Sequence, residues 1–356
     1  MAKVKIGIVG CGDVVFRSYL PGIAALGEKE KLVAVCDIVE ERAQRAREEF
    51  GASEVYTDFQ EMLARSDIEG VVILTPMPMH GPLCIAALEV GKHVYVEKPM
   101  AICLADANHE VELAKEKGLK LCCAPSTFLL SIHQKVKELI DGGAIGKVCF
   151  ARAHGSHGGP ARWRPYSSDP TWFYQKTAGP VLDLAVYSID TLIHVLGPVK
   201  RVAAFSGLAV TELTILAEGA RSKKLRSEVD DTTLMLLDFG GIPIACVDGT
   251  YNMLDYQGPW MEFYGDKGTL NVPHCYDKEK GLQLFQAESE AQGWQTVKVK
   301  SSDLDRLWLA IGIDHWLDCI LQDREPFLSG KHARHVLEVM LATYKSAETG
   351  RAVELG

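Results

Sequence analysis

The hydrophobic pattern of the first ~120 residues alternates between short apolar runs and longer stretches with the spacing of amphipathic helices. Runs that are apolar throughout predict strands covered on both faces, which is typical of parallel sheets. The predicted strands are residues 3–9, 32–36, 70–74, 93–96 and 119–124. Predicted helices include residues 40–50 and 82–90, and each is followed by a glycine, which is a common helix stop.

The pattern changes after Pro125, where a predicted helix over residues 130–140 is followed by strand-like runs across short turns. Gly240-Gly241 is a typical two-residue hairpin turn, and it would join strands at residues 232–239 and 242–250. A second predicted hairpin turns at residues 266–268. Further strands are predicted at residues 260–265, 269–272, 282–286 and 296–299, and closing helices at residues 306–321 and 333–348.

These two patterns predict an α/β fold with two domains, which suits a chain of 356 residues. We expect residues 1–124 to form a doubly wound parallel sheet with helices on both faces. We expect residues 125–356 to form an α+β domain with a large, mainly antiparallel sheet. Ligands of doubly wound sheets bind beyond the carboxyl ends of the strands, so the residues there are the first candidates for chemistry.

The charge balance narrows the possible partners. The chain has 38 Lys and Arg residues against 47 Asp and Glu residues, a formal net charge of -9. Nucleic-acid-binding surfaces and polybasic membrane-binding surfaces need clustered positive charge, so we expect no nucleic acid and no membrane as a partner. A single local arginine would still suit an anionic small molecule.

The cysteines and the N-terminus indicate the compartment. No run approaches the ~20 apolar residues that span a bilayer. The N-terminus leads directly into a predicted strand, which leaves no room for a signal peptide. The ten cysteines contain no Cys-x-x-Cys motif and lie mostly in apolar runs. We therefore expect buried, reduced thiols and a cytoplasmic protein.

The first predicted βα turn, Gly10-Cys11-Gly12-Asp13-Val14, has the form of a dinucleotide-binding loop. Gly10 permits the tight turn, and Gly12 lets the backbone approach a pyrophosphate at the N-terminus of the next helix. Val15 occupies the third glycine position, so the loop taken alone also fits a plain βα turn. Asp37 closes the second predicted strand, where an acidic side chain accepts hydrogen bonds from the adenosine ribose, caps the next helix, or does both.

Two further loops follow predicted strands. Thr75 and Pro76 begin a proline-rich loop that ends at His80, which either contacts a cofactor or caps the next helix. The other loop, Glu97-Lys98-Pro99, holds Lys98 at the same edge of the predicted sheet. A lysine ammonium there can relay a proton to or from a substrate hydroxyl, and the alternative is a surface ion pair.

Three polar residues recur along a largely apolar helical segment. Asp183, Tyr187 and Asp190 stand at positions i, i+4 and i+7, so they lie near one face of the predicted helix. A single aspartate on a helix is usually solvated. Three polar groups on one face of an otherwise apolar helix point instead to a site.

Aromatic and arginine residues are dense just ahead of this helix. Among them, Arg164 suits a carboxylate or a phosphate, and Trp172 suits the face of a sugar ring. A packed loop or a subunit contact explains each of these residues equally well. His154 and His157 precede them, but two histidines without further ligands do not predict a metal site, so we expect no metal.

The chain resembles the glucose–fructose oxidoreductase, inositol dehydrogenase and MocA (Gfo/Idh/MocA) family over essentially its whole length. The resemblance rests on four segments in this order: the Gly10 turn, the Thr75 loop, the Lys98 loop and the helix with Asp183. The most specific matches are Glu97-Lys98-Pro99 and the helix that carries Asp183 and Tyr187. The resemblance implies an N-terminal Rossmann domain and a C-terminal domain whose open sheet forms a homodimer or homotetramer. Met77 replaces the asparagine usual in this family. The expected contacts to NAD or NADP are Gly10, Gly12, Asp13, Val14, Asp37, Thr75, Pro76, His80, Glu97 and Lys98.

The resemblance also implies the catalytic residues. Lys98 and Asp183 match the family's catalytic lysine and aspartate. Tyr187 stands where many members have histidine, as in the branch that uses tyrosine as the acid/base. A lysine ammonium stabilises the phenolate of such a tyrosine and brings its pKa nearer neutrality. We expect these three residues to be catalytic and to bind the substrate together with Arg164 and Trp172.

The expected function is hydride transfer between NAD(P) and a secondary alcohol or ketone of a sugar, polyol or diol. Asp37 would repel the 2′-phosphate of NADP, and Ile38 and Val39 offer no cation, so NAD is the expected cofactor. Arg42 is the near candidate for binding NADP. The alternatives are a catalytically silent dinucleotide-sensing regulator and a glycosidase that recycles bound NAD. Retention of all three catalytic residues argues against the regulator.

Overall fold

The structure, a computed structural model, describes residues 3–26, 29–65, 67–274, 281–290 and 293–356. The chain forms two compact units. The first comprises residues 1–126 and 306–337, and the second comprises residues 127–305 and 338–356. The expected domains were two continuous stretches, whereas residues 306–337 belong to the first unit.

Trp316 explains why this late segment belongs to the first unit. Its side chain is fully buried, and its ring centroid lies 6.3 Å from that of Tyr95. Its Nε1 donates a 3.1 Å hydrogen bond to the backbone carbonyl of Lys120. Gly70 leaves room for the indole, because a Cβ at this position would fall 2.6 Å from it. The hydrophobic pattern predicted the helix but not the sheet against which it packs.

The helices and strands of the described residues follow the predicted pattern in most places. The helices are α1 (Leu20–Leu26), α2 (Glu40–Phe50), α3 (Phe59–Leu63), α4 (His80–Glu89), α5 (Leu104–Lys117), α6 (Ser131–Asp141), α7 (Val186–Leu196), α8 (Ile311–Leu321) and α9 (Gly330–Thr349). The strands are β1 (Val4–Val9), β2 (Glu30–Cys36), β3 (Glu54–Tyr56), β4 (Gly70–Ile73), β5 (His93–Val96), β6 (Leu121–Cys123), β7 (Val148–Ser156), β8 (Arg201–Gly207), β9 (Glu212–Thr214), β10 (Lys224–Arg226), β11 (Thr232–Asp238), β12 (Ile244–Thr250), β13 (Met261–Gly265), β14 (Gly268–Val272), β15 (Leu282–Gln286), β16 (Gln295–Val297) and β17 (Val353–Glu354). Two π-helical turns, Val15–Tyr19 and Val181–Ala185, lead directly into α1 and α7.

The first unit contains a six-stranded sheet in the order β3-β2-β1-β4-β5-β6. Every neighbouring pair is parallel. This is the doubly wound order in which the two halves of the sheet meet between β1 and β4, beyond whose carboxyl ends a dinucleotide binds. Strand residues such as Ile6, Ile8 and Val72 are fully buried, as the continuous apolar runs predicted. The predicted fold class of this unit is confirmed.

Local features of the first unit differ from the prediction: no helix was predicted at α3, and α8 begins at Ile311 rather than at residue 306. Strand β3 was not predicted, because it is a three-residue edge strand whose side chains are only half-buried and carry no alternating signal. Helix α4 begins at His80 rather than at the predicted residue 82, because the turn Met77–Met79 leads straight into it.

The second unit contains a nine-stranded sheet in the order β16-β15-β14-β13-β7-β12-β11-β8-β17. Its neighbours are antiparallel except for β7 and β12, which pair in parallel, so the predicted mainly antiparallel sheet is confirmed. Strands β7 and β8, the separate β9–β10 pair and the two-residue β17 were not predicted. Strand β7 contains Gly155, His154 and Ser156, which weaken an apolar strand pattern.

The hairpin predicted at Gly240-Gly241 is wider than two residues. Strand β11 ends at Asp238 and β12 begins at Ile244, so residues 239–243 connect them. Both glycines have positive φ, 105° and 112°, and their backbone N–H groups donate to the Asp238 carboxylate. This side-chain capping is an Asx-type turn, and it replaces the tighter turn that the two glycines predicted.

One face of the nine-stranded sheet exposes apolar side chains. Leu234 and Leu236 on β11 are 56% and 49% exposed, whereas their neighbours Met235 and Leu237 are buried. Phe205 on the adjacent β8 is 84% exposed. We call the outward side of β8, β11 and β12 the open sheet face.

The nine described cysteines are free thiols, and six of them are buried. Cys103 and Cys246 are half-buried and Cys149 is exposed, which corrects the expectation of burial for these three. Cys149 is the extra residue where the β7–β13 register shifts between Val148 and Phe150, so it has no inward-facing position. Cys275 lies outside the described residues. Among the described helices, none has both the length and the apolar character needed to cross a bilayer.

Candidate active site

The turn after β1 leaves an open cradle at the carboxyl edge of the parallel sheet. Gly10 has a φ of +88°, and a Cβ there would fall 2.8 Å from the backbone of Leu74, so only glycine fits. Its N–H donates to the carbonyl of Cys36 at 2.8 Å, which fixes the turn against β2. A Cβ on Gly12 would meet nothing within 4 Å, so this backbone faces open space. The cradle therefore has the room that a pyrophosphate needs at a helix N-terminus.

Asp37 lies next to this cradle at the end of β2. Its carboxylate accepts hydrogen bonds from the backbone N–H of Cys11 at 2.7 Å and of Val39 at 2.8 Å. The side chain is buried, so it braces the Gly10–Gly12 turn and also caps the chain that leads to α2. The next residue, Ile38, is 91% exposed, so its apolar side chain is accessible beside the cradle.

The remaining residues of the turn are held in place by local contacts. The carboxylate of Asp13 accepts a 2.9 Å hydrogen bond from Nε of Arg17, and Val14 directly precedes the π-helical turn. Burial and the neighbouring Asp37 carboxylate raise the pKa of the Cys11 thiol to about 12. Cys11 is therefore a packing residue and not a nucleophile.

His80 joins two of the predicted loops. Its Nδ1 lies 2.6 Å from the carbonyl of Pro99, and its Nε2 lies 2.7 Å from the carbonyl of Thr75. The ring is buried, and burial lowers the pKa of the imidazole. Both ring nitrogens thus face backbone carbonyl oxygens, to one of which the neutral ring donates, and Pro76 rather than His80 is exposed at the surface of the loop.

Glu97 fixes the backbone beneath Lys98. Its Oε2 accepts a 2.9 Å hydrogen bond from the N–H of Lys98, and its Oε1 accepts a 2.5 Å hydrogen bond from the hydroxyl of Tyr19. Glu97 is buried, whereas the side chain of Lys98 is half-buried. Burial, together with the Glu97 carboxylate, raises the pKa of the Tyr19 hydroxyl well above its usual value, so this group remains a donor.

In the second unit, Asp183 lies inside the π-helical turn Val181–Ala185, and Tyr187 lies in the first turn of α7. Asp183 is buried and Tyr187 is half-buried. A π-helical turn closes with i→i+5 hydrogen bonds, so it changes which side chains lie on the same face of the helix. Such turns are frequent at functional sites. Asp190 is also buried, and its Oδ1 lies 3.7 Å from Nε2 of His194.

A pair of glycines brings this turn close to the sheet. Gly155 on β7 lies opposite Gly249 on β12, and a Cβ at Gly155 would fall 2.2 Å from Cα of Ala185. A Cβ at Gly249 would fall 3.2 Å from Cβ of Ala185. The turn that carries Asp183 therefore packs directly on sheet backbone, which holds Asp183 on a rigid element.

Tyr251, which follows β12, contacts the predicted catalytic aspartate. Its hydroxyl donates a 3.0 Å hydrogen bond to Oδ2 of Asp183. Neither Tyr251 nor Tyr19 was singled out from the sequence. Each meets its carboxylate partner from a segment more than sixty residues distant in the chain. Only Tyr251 carried a local signal, as a tyrosine directly after a strand.

The aromatic segment before α7 forms a small core of its own. Tyr166 and Tyr174 are buried together with Ile215 and Leu225, while Trp172 stacks on Phe173 with ring centroids 3.6 Å apart. Much of the aromatic density therefore reflects packing. Trp172 remains half-buried and Arg164 remains exposed, so both retain surface that a substrate can contact.

The two histidines ahead of this segment have other partners. Nδ1 of His154 lies 2.5 Å from Oδ2 of Asp248, and Nδ1 of His157 accepts the N–H of Gly159 at 2.8 Å. Their arrangement is thus a strand-to-strand hydrogen bond and a local turn.

Within each unit, the structure groups the predicted residues at one edge. The first unit brings together Gly10, Gly12, Asp13, Val14, Asp37, Thr75, Pro76, His80, Glu97 and Lys98 around the carboxyl ends of β1, β2, β4 and β5. The second unit places Asp183 and Tyr187 one helical turn apart, beside the aromatic segment. A six-stranded parallel sheet with this glycine cradle defines a dinucleotide-binding protein of the Rossmann class.

Two family models match the chain. Residues 4–124 match the oxidoreductase family with an NAD-binding Rossmann fold, and residues 133–271 match the GFO/IDH/MocA C-terminal domain. The chain belongs to the Gfo/Idh/MocA oxidoreductase family, as the sequence motifs indicated. It is therefore an NAD(P)-dependent oxidoreductase.

Individual relatives are similar over most of their length. The chain is 34% identical to a dTDP-3,4-didehydro-2,6-dideoxy-alpha-D-glucose 3-reductase of Streptomyces violaceoruber, over 78% of this chain and 75% of the relative. It is 25% identical to a D-glucoside 3-dehydrogenase of Escherichia coli, over 99% and 98%. The structure of a levoglucosan dehydrogenase in complex with NADH and L-sorbose superposes with a TM-score of 0.84 at 22% identity, over 99% of each chain, which shows the shared fold.

Proposed function

We propose that this protein transfers a hydride between NAD and a secondary alcohol or ketone carbon of a sugar, polyol or diol. The observation that carries the proposal is the open glycine cradle beside Asp37, in a chain that also holds Lys98, Asp183 and Tyr187. The names of the glucoside dehydrogenase and the dideoxyglucose reductase support a sugar-like substrate.

The residues of the first unit fit a dinucleotide. Gly10 and Gly12 leave the space for its pyrophosphate, Asp37 offers acceptor oxygens to a ribose, and Ile38 offers an apolar surface to an adenine ring. Asp13, Val14, Thr75 and Pro76 border the same edge. When bound, the nicotinamide supplies or accepts the hydride. Glu97 and His80 act indirectly, because their polar atoms are used to fix the Lys98 and Thr75 loops.

In this proposal, three side chains transfer the proton and orient the substrate. Tyr187 exchanges a proton with the substrate oxygen, and Lys98 is the alternative carrier of that proton. Asp183 orients the substrate by accepting a hydrogen bond from one of its hydroxyl groups. Arg164 and Trp172 contribute to substrate binding, Arg164 toward an anionic substituent and Trp172 toward an apolar sugar face.

A substrate screen tests this function. Sugars, polyols, diols and sugar acids are incubated with NAD and separately with NADP, and the nicotinamide absorbance is followed. We expect net reduction of NAD with at least one class of secondary alcohol. Release of a free sugar without net reduced cofactor would indicate the NAD-recycling glycosidase. Dinucleotide binding without turnover of any substrate would indicate the silent regulator.

The open sheet face supports a homo-oligomer. Phe205, Leu234 and Leu236 form an apolar surface on adjacent strands, and a second copy of the same face would bury it. Light scattering after gel filtration should show a dimer or tetramer. Leu234→Glu should lower the mass toward the monomer, whereas Leu321→Glu, which changes an exposed leucine on α8, should not. A wild-type monomer at micromolar concentration would contradict this assignment.

These roles give each unit its own function in the proposal. We propose that the first unit, with residues 1–124 as its core, is the cofactor domain. The second unit then binds the substrate and forms the oligomer. The free thiols suit a reducing compartment, so we propose that the protein acts in the cytoplasm.

A further inference from the structure

Tyr251 and Asp183 form a buried pair in the second unit. The Tyr251 hydroxyl donates to Oδ2 of Asp183 at 3.0 Å. Tyr251 is 1% exposed and Asp183 is 6% exposed, so water competes little with this hydrogen bond. A carboxylate in such a place depends on fixed donors to hold it in one rotamer.

The backbone of Tyr251 is fixed from three directions. Its N–H donates to the carbonyl of Asp231 at 2.9 Å, and its own carbonyl accepts a 2.8 Å hydrogen bond from Nη1 of Arg162. Gly159 lies so close that a Cβ there would fall 3.0 Å from Cβ of Tyr251. These contacts hold the start of the side chain in place.

The ring of Tyr251 is also confined. It packs against the ring of Tyr174, with the centroids 5.0 Å apart. Both rings belong to one buried apolar cluster with Leu184, the residue after Asp183. The hydroxyl therefore has a fixed position relative to the π-helical turn.

The chemistry of the pair gives the hydrogen bond a fixed direction. Burial, and next the Asp183 carboxylate, raise the pKa of the Tyr251 hydroxyl well above its usual value. The buried hydrogen bond to Asp183 therefore favours the protonated form of Tyr251. It acts as a permanent donor to Asp183 and does not itself exchange a proton.

We propose that Tyr251 is a positioning residue for the reaction, because it holds the Asp183 carboxylate in the orientation that binds the substrate hydroxyl. This inference rests on the proposed function of Asp183. Tyr251 acts through Asp183 and need not contact the substrate. Its removal should thus slow hydride transfer without weakening the binding of the dinucleotide, whose cradle belongs to the first unit.

Tyr251→Phe tests the inference, because it removes only the hydroxyl and keeps the packed ring. We expect single-turnover hydride transfer to slow by about 10- to 100-fold, the scale on which misplaced groups cost rate. The dissociation constant for NAD should change by less than about twofold. Tyr174→Phe is the matched control, since Tyr174 is also buried but its hydroxyl accepts from the N–H of Ala161. This control should stay within about twofold of the wild-type rate.

A double-mutant cycle separates positioning from a general structural role. If Tyr251 acts through Asp183, then Asp183→Ala, which removes the acceptor, and the double variant Asp183→Ala/Tyr251→Phe should transfer hydride at equal rates, measured with excess enzyme over hours. A double variant whose hydride-transfer rate falls by the product of the two single losses would overturn the inference. So would a wild-type rate in Tyr251→Phe.

An NMR measurement, which needs no turnover, tests the inference separately from the proposed function. The carboxyl resonance of Asp183 in protein labelled with 13C-aspartate is identified by its loss in Asp183→Asn. It should shift in Tyr251→Phe and stay in place in Tyr174→Phe. An unshifted resonance would overturn the positioning role even in an active enzyme. An inactive wild type whose Asp183 resonance shifts in Tyr251→Phe would overturn the proposed function instead.

Discussion

The hydroxyl of Tyr19 donates a 2.5 Å hydrogen bond to Oε1 of Glu97, and this bond links the helix after the glycine cradle to the Lys98 loop. The second oxygen of Glu97 accepts the N–H of Lys98. One buried carboxylate therefore fixes both the turn after the glycine cradle and the backbone of the Lys98 loop. The backbone position of Lys98 therefore depends on Glu97.

Tyr19→Phe should reveal this link as a loss of stability. The substitution leaves Oε1 of a buried carboxylate without its donor, which costs about 1–3 kcal/mol. Denaturant unfolding measures the free energy, and turnover should fall as well because the Lys98 loop loosens. Tyr56→Phe is the control, since Tyr56 also donates to a glutamate, Glu54, but at the half-buried sheet edge. Equal free energies of unfolding for the two variants would contradict the argument.

The cofactor preference should favour NAD. Asp37 uses both carboxylate oxygens to accept the N–H groups of Cys11 and Val39, so the carboxylate is fixed beside the cradle. A 2′-phosphate would meet this fixed negative charge. Calorimetric titration should give a dissociation constant at least about tenfold lower for NAD than for NADP, equivalent to roughly 1.4 kcal/mol. Tighter binding of NADP would show that Arg42 or another cation compensates.

The proton carrier can be assigned by comparing two variants. If Tyr187 is the acid/base, Tyr187→Phe should slow the chemical step by ~10²-fold or more. If Lys98 carries the proton, Tyr187→Phe should keep most of its rate and mainly weaken substrate binding. Lys98→Met should lower turnover strongly in either case while leaving NAD binding nearly intact. Single-turnover hydride transfer is the measurement, and a Tyr187→Phe rate within a few-fold of wild type would rule out the tyrosine.

Glu110 should make stability fall as the pH rises. It is fully buried in α5, and burial raises the pKa of its carboxyl well above the usual value, with a smaller opposing effect from the Cys84 thiol. The folded protein then keeps a proton that the unfolded chain loses above roughly pH 4.3. The unfolded state binds fewer protons in this range, so the free energy of unfolding declines with pH up to the folded pKa.

Glu110→Gln removes this titration and keeps the shape of the side chain. The melting temperature of the variant, minus that of the wild type, should therefore increase between pH 5 and pH 8. Glu112→Gln, on the exposed side of the same helix, is the control and should show no such trend. A constant difference for Glu110→Gln would mean that the carboxyl is ionised in the folded protein.

The parts of the fold that the sequence predicted are those with a repeated local signal. Continuous apolar runs identified β1, β2, β4, β5 and β6, because both faces of these strands are covered. Strand β3 has three half-buried residues and no such signal. The position of α8 depends on where Trp316 packs, and this is a long-range property that no local pattern carries.

The same distinction holds for the candidate site. The motifs around Gly10, Lys98 and Asp183 are local, so their residues could be named from the sequence. The hydrogen bonds from Tyr19 to Glu97 and from Tyr251 to Asp183 join distant segments, and only the structure reveals them. The helical spacing of Asp183 and Tyr187 was predicted, but the π-helical turn that contains Asp183 was not.

Gly155→Ala should disturb the site by moving the turn that carries Asp183. A Cβ at Gly155 would fall 2.2 Å from Cα of Ala185, and backbone on both sides prevents an easy adjustment. Overpacking of this kind costs typically about 1–3 kcal/mol, and the displaced turn should lower turnover as well. Gly249→Ala, with its nearest contact at 3.2 Å, should have a smaller effect on both quantities. Gly207→Ala on β8 of the same sheet meets nothing within 4 Å and should leave both unchanged. Denaturant unfolding and single-turnover rates should therefore rank the three variants in this order, and equal values for Gly155→Ala and Gly207→Ala would show that the turn does not depend on the glycine.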